Sequence, residues 1–389
     1  MNYTADADQQ AFRKEVREFI HSRLSPELHA EIEEHPRKGP GPRLRELFRE
    51  MGEKGWLSVS WPAEYGGQGK PISYSYILSD EAEYEHIALP TVAMQMVGPT
   101  LMKVGTEEQK REFLPRVMRG EIEFALGYTE PNAGSDLASL STRAIRDGDD
   151  YVINGQKIYT THAHYATHIW LATRTDVDAP KHRGITLVIV PLDTPGVSIR
   201  PLWTMSDERT NEVFFDDVRI PAANRVGEEN QGWYYMAMAL DYERASSAAP
   251  SPIERIFDEL VEYAKTTEMR GKPLAADPYF RLRLAEMATR IHISRLFSER
   301  LVWMMDSGLI PNAESSMTKI WFTETRQLLY QLGTELLGAY GQLAPGSPFA
   351  PLAGKIEQLY RDGPRRRFTA GTNEIQRNII AQRGLGLPR

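Results

Sequence analysis

The sequence predicts a mostly helical α+β chain in which a central β domain lies between two helical domains. Three observations predict it. Apolar residues recur at helical spacing in the first and last thirds, short β-branched segments fill the middle, and neither βαβ alternation nor a GxGxxG fingerprint occurs. We expect helices over 1–121, a β-barrel-like domain over 122–230 and a four-helix bundle over 231–389. A Rossmann fold is excluded.

The helical prediction for the first third rests on two amphipathic segments and one capped helix. The apolar faces comprise Phe12, Val16, Phe19 and Ile20 in one segment, and Leu44, Leu47, Phe48 and Met51 in the next. Thr106 and Gln109 form a capping-box pattern, which predicts a helix from there to about Met118.

The middle third contains short segments rich in β-branched and aromatic residues. They span residues 140–145, 151–153, 169–173, 185–191 and 213–218. Asp147-Gly148 and Asn154-Gly155 separate some of them and predict hairpin turns.

The last third is helical again. Met236, Leu240 and Glu243 share one helix face, and later leucine-rich stretches predict three or four long helices. Residues 245–252 are small and include two prolines, which should kink or break the first of these helices. The small side chains make room for a bulky acyl group or only permit close helix packing, and the sequence favours neither reading.

Bulk composition excludes several classes of protein. The net charge of −7 argues against a nucleic-acid surface, although Arg365, Arg366 and Arg367 form one local basic run. The absence of cysteine excludes disulfides and thiolate metal sites, and fits a reducing compartment. The first residues are too polar for a signal peptide, and the longest apolar run, 184–192, is too short to span a membrane. We therefore expect a cytoplasmic protein. We also expect no metal site, because the spacing of His162, His164 and His168 predicts no ligand geometry.

Residues 126–136, Leu-Gly-Tyr-Thr-Glu-Pro-Asn-Ala-Gly-Ser-Asp, form the most informative stretch. Pro131, Asn132 and Gly134 predict a turn in which Asn132 and Gly134 tolerate unusual backbone conformations. Such a turn can present successive N–H groups to a diphosphate or to a flavin edge. The alternative is a surface loop that only caps a strand.

This stretch resembles the flavin-binding signature of the acyl-CoA dehydrogenases, and the resemblance covers nearly the whole chain. It implies FAD as the cofactor. Tyr128 and Thr129 match positions that contact the flavin pyrimidine edge. Gly134 and Ser135 match positions beside the pyrophosphate, and Ser135 is also expected to contact substrate.

Two further stretches resemble the same family in the same order. In residues 154–161, Tyr159 and Thr161 match an aromatic ring and a hydroxyl laid against the flavin; the family commonly has Trp at the first position. In residues 368–377, Thr372 and Glu374 match cofactor contacts, and Ala370 and Gly371 match the segment that closes over the thioester.

The catalytic base is the main departure from the family pattern. Many members carry a glutamate just before the Gly-Thr pair, where this chain has Ala370. A minority supply the base from the first helix of the C-terminal bundle as Glu followed by Arg, and here Glu243 and Arg244 occupy that place. The resemblance therefore implies Glu243 as the base and Arg244 as a substrate contact. The alternative for Glu243 is an exposed carboxylate paired with Arg244.

A second departure concerns cofactor contacts across a subunit interface. Thr267 and Arg270 stand where the family has Arg-x-x-Phe, and Glu335, near Gly338, stands where a cofactor-contacting Gln is common. Glu335 and Gly338 are still expected to line the cofactor site. Whether Thr267 and Arg270 weaken cofactor binding stays open.

The resemblance implies FAD-dependent α,β-dehydrogenation of an acyl-CoA thioester to the trans-2-enoyl-CoA. It also implies reoxidation by an electron-transfer flavoprotein and a homodimer or homotetramer. Two rivals remain: an oxidase or monooxygenase on the same fold, and a non-catalytic partner subunit of a heteromeric dehydrogenase, in which case the assembly is a heterotetramer.

Overall fold

A computed structural model of the chain describes Tyr3, residues 5–246 and residues 249–388, with the backbone alone for residues 241–246. Helices come first, an open β-sheet follows, and a second set of helices ends the chain. This order confirms the predicted fold class. The predicted boundaries 1–121, 122–230 and 231–389 stay a prediction.

Six α-helices build the N-terminal part. They are α1 Ala7–Arg23, α2 Pro26–Lys38, α3 Pro42–Glu53, α4 Ile72–Tyr84, α5 Gly98–Val104 and α6 Glu107–Met118, and a π-helical turn, Val92–Val97, precedes α5. The predicted capping box is confirmed, because Thr106 accepts from the N–H of Gln109 while Gln109 accepts from the N–H of Thr106, each at 3.2 Å. The predicted faces of α1 and α3 are buried at Val16 and Ile20 and along Leu44 to Met51.

Eight strands form the central sheet. They are β1 Phe124–Gly127, β2 Arg143–Asp147, β3 Asp150–Lys157, β4 His168–Arg174, β5 Ile185–Pro191, β6 Val197–Trp203, β7 Arg209–Pro221 and β8 Arg225–Val226. Their order is β6-β7-β3-β2-β4-β5-β8, and β1 pairs in parallel with β4.

The expected barrel-like closure is wrong, because the sheet stays open with β6 and β8 at its edges. Both faces of the sheet are covered without closure. Alternate residues of β4 and β5, such as Trp170 and Leu187, join the core of the N-terminal helices, whereas Leu171 and Val188 join a second core on the other face.

One of the two predicted turns is also wrong. Asp147-Gly148 does connect β2 and β3, with Gly148 in the left-handed region. Asn154-Gly155 lies inside β3, where the register against β7 shifts. Asn154 donates to the Asp217 carboxylate and accepts from its N–H, both at 2.9 Å, so the pair supports a β-bulge instead of a turn.

Among the described residues, the C-terminal part contains the α-helices α7 Gly232–Ser246, α8 Ser251–Thr266, α9 Pro278–Asp306, α10 Ala313–Leu337, α11 Lys355–Arg366 and α12 Asn373–Ile379. The two-residue strands β9 Glu268–Met269 and β10 Lys272–Pro273 form a hairpin. A shared core of residues from α8, α9, α10 and α11 makes the bundle, whereas Met236 and Ala239 of α7 join the N-terminal core. The predicted break by proline is confirmed, since α8 begins directly after Pro250.

The small residues at the α7–α8 junction are described only in part. Ala249 packs with Tyr76 and Val302, and Ser251 donates a hydrogen bond to Asp80. Close packing is therefore the role of these two residues. Ser247 and Ala248 lie outside the described residues.

Candidate active site

The turn after β1 is shaped by the buried carboxylate of Glu130. Its backbone N–H and C=O pair with those of Ala133 at 3.1 Å. The carboxylate accepts from the N–H of Ser141 at 2.6 Å, from the Ser141 hydroxyl at 2.8 Å and from the N–H of Thr142 at 2.8 Å. Glu130 thus closes residues 130–142 into one compact loop.

Lys157, at the end of β3, completes this arrangement. Its side chain is fully buried, and its Nζ donates to Glu130 at 2.8 Å and to the backbone O of Tyr128 at 3.2 Å. Burial alone would raise the pKa of Glu130, but the Lys157 ammonium and the hydrogen bonds from Thr142 lower it to about 2. Burial lowers the pKa of Lys157 to about 8, against the opposing effect of Glu130, so the pair is mostly ionised at neutral pH. No role was predicted for Glu130 or Lys157 from the sequence, although a lysine at an inward position of a strand was a usable signal.

The candidate residues of the first stretch have different surroundings. The Tyr128 ring is buried and its hydroxyl accepts from Trp170 Nε1 at 3.2 Å, so this side chain faces the core. The backbone O of Thr129 accepts from the N–H of Ile158 at 2.9 Å, which joins the first stretch to the second. The Tyr128 ring is therefore turned away from a ligand, whereas the Thr129 side chain is half-buried.

Gly134 and Ser135 are exposed. Asn132 and Gly134 were predicted to tolerate unusual backbone conformations, but neither residue has a positive φ. A Cβ placed on Gly134 would meet no atom within 4 Å, so the protein itself does not require glycine there. The surface beside Gly134 and Ser135 therefore leaves room for a ligand.

Tyr159 presents its ring from a left-handed backbone position. Its φ is 55° and its side chain is 62% exposed, both unusual for a tyrosine beside a strand. The N–H of Thr161 donates to the Tyr159 carbonyl at 3.0 Å, and Thr161 is also exposed. Backbone strain at an exposed flat ring is typical of a ligand site.

Asn211 of β7 holds the turn at residues 159–161, and this role was not predicted from the sequence. Asn211 is fully buried; its carbonyl accepts from the N–H of Thr160 and its Nδ2 donates to the Thr160 carbonyl, both at 2.9 Å. Nothing in the local sequence marks this asparagine, because its partner lies 51 residues away.

The loop 204–208 before β7 is bonded to α11, which leads into the third stretch. Arg365 pairs with Glu208, and Arg365 and Arg366 both pair with Asp362, at 2.6 and 2.7 Å. Gln358 donates to the Ser206 carbonyl at 2.8 Å. The basic run noticed in the sequence therefore joins the β-sheet to the loop that carries Ala370.

The third stretch is a tight loop followed by α12. Ala370 and Gly371 have φ values of 53° and 82°, and both are exposed. The Thr372 hydroxyl accepts from the N–H of Ile375 at 3.2 Å as the cap of α12. Glu374 is exposed in the first turn of α12.

The structure does not bring the expected interface residues into this part of the chain. Glu335 accepts from the Tyr279 hydroxyl at 3.1 Å and from Arg283 at 3.4 Å. Glu335 and Gly338 lie at the C-terminal end of α10, and Glu335 is about 24 Å along that helix from Lys319, which contacts the Ala370 loop.

The two residues that replace the family's Arg-x-x-Phe lie elsewhere again. Thr267 follows the end of α8, and Arg270 has a left-handed φ in the β9–β10 turn.

Glu243 and Arg244 lie on α7, but their side chains are outside the described part of the structure. The α7 helix packs on the N-terminal core, next to the π-helical turn and β5. Their predicted roles stay predictions.

The fold and this site define a class of three-part enzymes that hold a flavin against a β domain. The chain belongs to the acyl-CoA dehydrogenase family. Models of the family's N-terminal, middle and C-terminal domains match residues 6–121, 125–218 and 230–385. It is therefore an acyl-CoA dehydrogenase, and its cofactor is FAD.

Known relatives match over nearly their whole length. Acyl-CoA dehydrogenase FadE26 from Mycobacterium tuberculosis is 39% identical over 100% of this chain and 99% of that protein. The solved Tcur3481-Tcur3483 steroid ACAD is 40% identical, with a TM-score of 0.92 and full coverage of both chains. The ChsE4-ChsE5 complex from Mycobacterium tuberculosis gives the same values.

The residues present fit FAD. Open space at Gly134, the displayed ring of Tyr159 and the exposed Thr161 offer a surface for a flat ring and a phosphate.

Within the described residues, no helix has both the length and the apolar character needed to cross a membrane.

Proposed function

We propose that this chain catalyses α,β-dehydrogenation of an acyl-CoA thioester to the trans-2-enoyl-CoA, with Glu243 as the base. The observation that carries the proposal is an exposed Ala370 loop whose N–H groups at residues 370–372 donate to no atom of the described residues, in a chain that also exposes the Tyr159 ring. Ala370 offers no carboxylate, so the base must come from elsewhere, and α7 carries the candidate.

The reaction needs a base because the α-proton of a thioester is only weakly acidic. A carboxylate at position 243, desolvated by the acyl chain, gains basicity since burial disfavours its charged form. The proton moves to the Glu243 carboxylate, and bound FAD supplies the acceptor for the hydride that leaves the β-carbon. Arg244, Ser135 and Gly371 are proposed substrate contacts.

Loss of the α-proton places negative charge on the thioester oxygen. Backbone N–H groups that point at this oxygen stabilise that charge. We assign this role to the amide of Ala370, which needs no side chain. Tyr128, Thr129, Gly134, Ser135, Tyr159, Thr161, Thr372 and Glu374 are the proposed cofactor contacts of the same chain.

Glu335 and Gly338 are proposed to contact the cofactor of another subunit, because they lie far along α10 from the Ala370 loop.

The first prediction is one FAD for each subunit that has a complete site. Flavin absorbance after gentle purification measures it, and a protein that stays colourless with added FAD contradicts it.

A heteromeric assembly is the favoured alternative for the oligomer, because solved neighbours include the ChsE4-ChsE5 complex and the Tcur3481-Tcur3483 steroid ACAD. We propose a bulky polycyclic acyl-CoA as the substrate class on the same basis. Turnover of polycyclic and straight-chain acyl-CoAs with an artificial acceptor tests the class. Faster straight-chain turnover contradicts it, and turnover that consumes oxygen identifies an oxidase.

The alternative of a non-catalytic partner subunit remains a separate outcome. A chain that is yellow when purified alone and that reduces its own flavin with an acyl-CoA contradicts that alternative. Reoxidation by an electron-transfer flavoprotein is proposed as well, and adding that protein in place of the artificial acceptor tests it.

A further inference from the structure

The shape of the loop that carries Ala370 is set by one buried side chain, that of Gln376. Gln376 lies on α12 and is 3% exposed. Its Nε2 donates to the backbone O of Ala370 at 3.1 Å and lies 3.4 Å from the backbone O of Gly371. One side-chain amide therefore contacts two successive carbonyl groups.

The orientation of this amide is determined by the two carbonyl oxygens, which can only accept hydrogen bonds. If the amide turned over, its own oxygen would face both of them. On the other side, the buried Ser316 hydroxyl of α10 donates to Gln376 Oε1 at 2.7 Å and lies 3.4 Å from the backbone O of Asn312. Ser316 therefore supports this orientation and holds the amide in place.

Capture of the two carbonyls fixes the direction of the next two amide hydrogens. In a trans peptide unit, N–H and C=O point to opposite sides. The N–H groups of Gly371 and Thr372 therefore point away from Gln376. In the part of the chain that the structure describes, the N–H groups of Ala370, Gly371 and Thr372 donate to no protein atom.

The turn needs support, because Ala370 has a left-handed φ of 53°, which strains a non-glycine residue, next to Gly371 at 82°. The contact is also close. A Cβ added at Gly371 would stand 2.6 Å from Gln376 Nε2.

We propose that Gln376 is a positioning residue. Its amide, supported by Ser316, holds the Ala370–Gly371 turn, so that the turn places the Ala370 amide at the thioester oxygen while the N–H groups of Gly371 and Thr372 point away from Gln376. Gln376 does not touch the substrate and acts through the loop. The identity of the ligand rests on the proposed function, whereas the support of the turn rests on the geometry alone.

Three variants and one control test the proposal. Gln376→Met keeps the volume and removes the amide. Ser316→Ala keeps the amide but removes the hydrogen bond to its oxygen, and Gln376→Glu places a carboxylate oxygen against the two carbonyls. Thr325→Val is the control, since Thr325 is buried on the same α10 and its hydroxyl has no hydrogen-bond partner among the described residues.

Two measurements are made on the FAD-loaded protein. Hydrogen exchange followed by mass spectrometry reports on residues 368–373, and single-turnover mixing with an acyl-CoA reports on flavin reduction. We expect Gln376→Met to exchange these amides at least tenfold faster and to slow flavin reduction roughly 10²-fold, because a misplaced oxyanion donor costs about this much. Ser316→Ala should give a smaller change in the same direction, Gln376→Glu a larger one, and Thr325→Val none.

The proposal is overturned if Gln376→Met and Ser316→Ala reduce their flavin at the wild-type rate, whatever happens to their melting temperatures. Where Gln376→Met does not fold, Ser316→Ala and its control decide alone. If none of the acyl-CoAs tested reduces the flavin of the wild-type protein, the proposed function fails. The exchange of residues 368–373 then still decides whether Gln376 supports the turn.

Discussion

Among single residues, Glu243 is expected to have the largest effect on turnover. Replacing it by Gln or Ala should slow flavin reduction roughly 10² to 10⁴-fold, the usual contribution of a positioned general base. FAD content and the spectral change on adding acyl-CoA should persist, because the carboxylate touches only the reacting carbons. Single-turnover mixing measures the rate, and a Glu243→Ala variant as fast as wild type means that the base lies elsewhere.

The position of Ala370 provides a matched test of the same mechanism. Its side chain is exposed, and a glutamate there would share the left-handed φ that alanine already adopts. Ala370→Glu in the Glu243→Ala background should therefore recover a measurable part of the rate. Ala370→Glu alone should slow the enzyme, since two carboxylates at one site raise each other's pKa.

The buried pair of Lys157 and Glu130 provides a residue-scale test of stability. Lys157→Met should lower the free energy of unfolding by about 3–5 kcal/mol, because it leaves Glu130 buried without its counter-charge. Lys181→Met is the control: Lys181 pairs with Asp136 of the same stretch at 2.8 Å, but both side chains are more than half exposed. It should change stability by about 0–1 kcal/mol. Urea unfolding measures both, and equal losses would contradict the assigned role of Lys157.

At the scale of elements, the attachment of α11 to loop 204–208 carries the next prediction. Asp362 is 2% exposed; it accepts from the Ser206 hydroxyl of this loop at 3.4 Å and from Arg365 and Arg366, and Arg365 also pairs with Glu208 of the same loop. Asp362→Asn should therefore destabilise the protein by about 3–5 kcal/mol. Glu107→Gln is the control, because Glu107 pairs with Lys110 on the surface. A thermal melting curve for Asp362→Asn that overlies the control would show that this attachment contributes little.

At the scale of the whole molecule, α9 exposes an apolar face that the single chain leaves uncovered. Leu282 is 71% exposed, and Tyr279 and Leu296 are also exposed on this helix. We expect Leu282→Arg to reduce the assembly toward the 44.2 kDa of one chain, because a buried arginine would oppose association. Ile145→Arg, at an equally exposed apolar position on β2, should leave the assembly intact. Light scattering measures the mass, and a wild-type protein of 44.2 kDa would contradict the expected oligomer.

Local sequence determined the helices, because their signals lie within a few residues of one another. The capping box of Thr106 and Gln109 predicted α6 to its last residue, and segment 185–191 predicted β5 at both ends. The hairpin turn predicted at Asn154-Gly155 was wrong, because the same dipeptide occurs both in hairpin turns and in β-bulges. Its partner Asp217, which decides between them, lies 63 residues away.

The sequence by itself determined the order of helices and strands and the class of enzyme, since short motifs carry this information, and it predicted three candidate cofactor stretches. Only the tertiary structure decided that the sheet stays open, that Tyr128 faces the core and that Glu130, Lys157, Asn211 and Gln376 shape the site. Many of these contacts join residues far apart in the chain, and their strength depends on burial. Burial is a property of the packed molecule, and therefore no reading of neighbouring residues determines it.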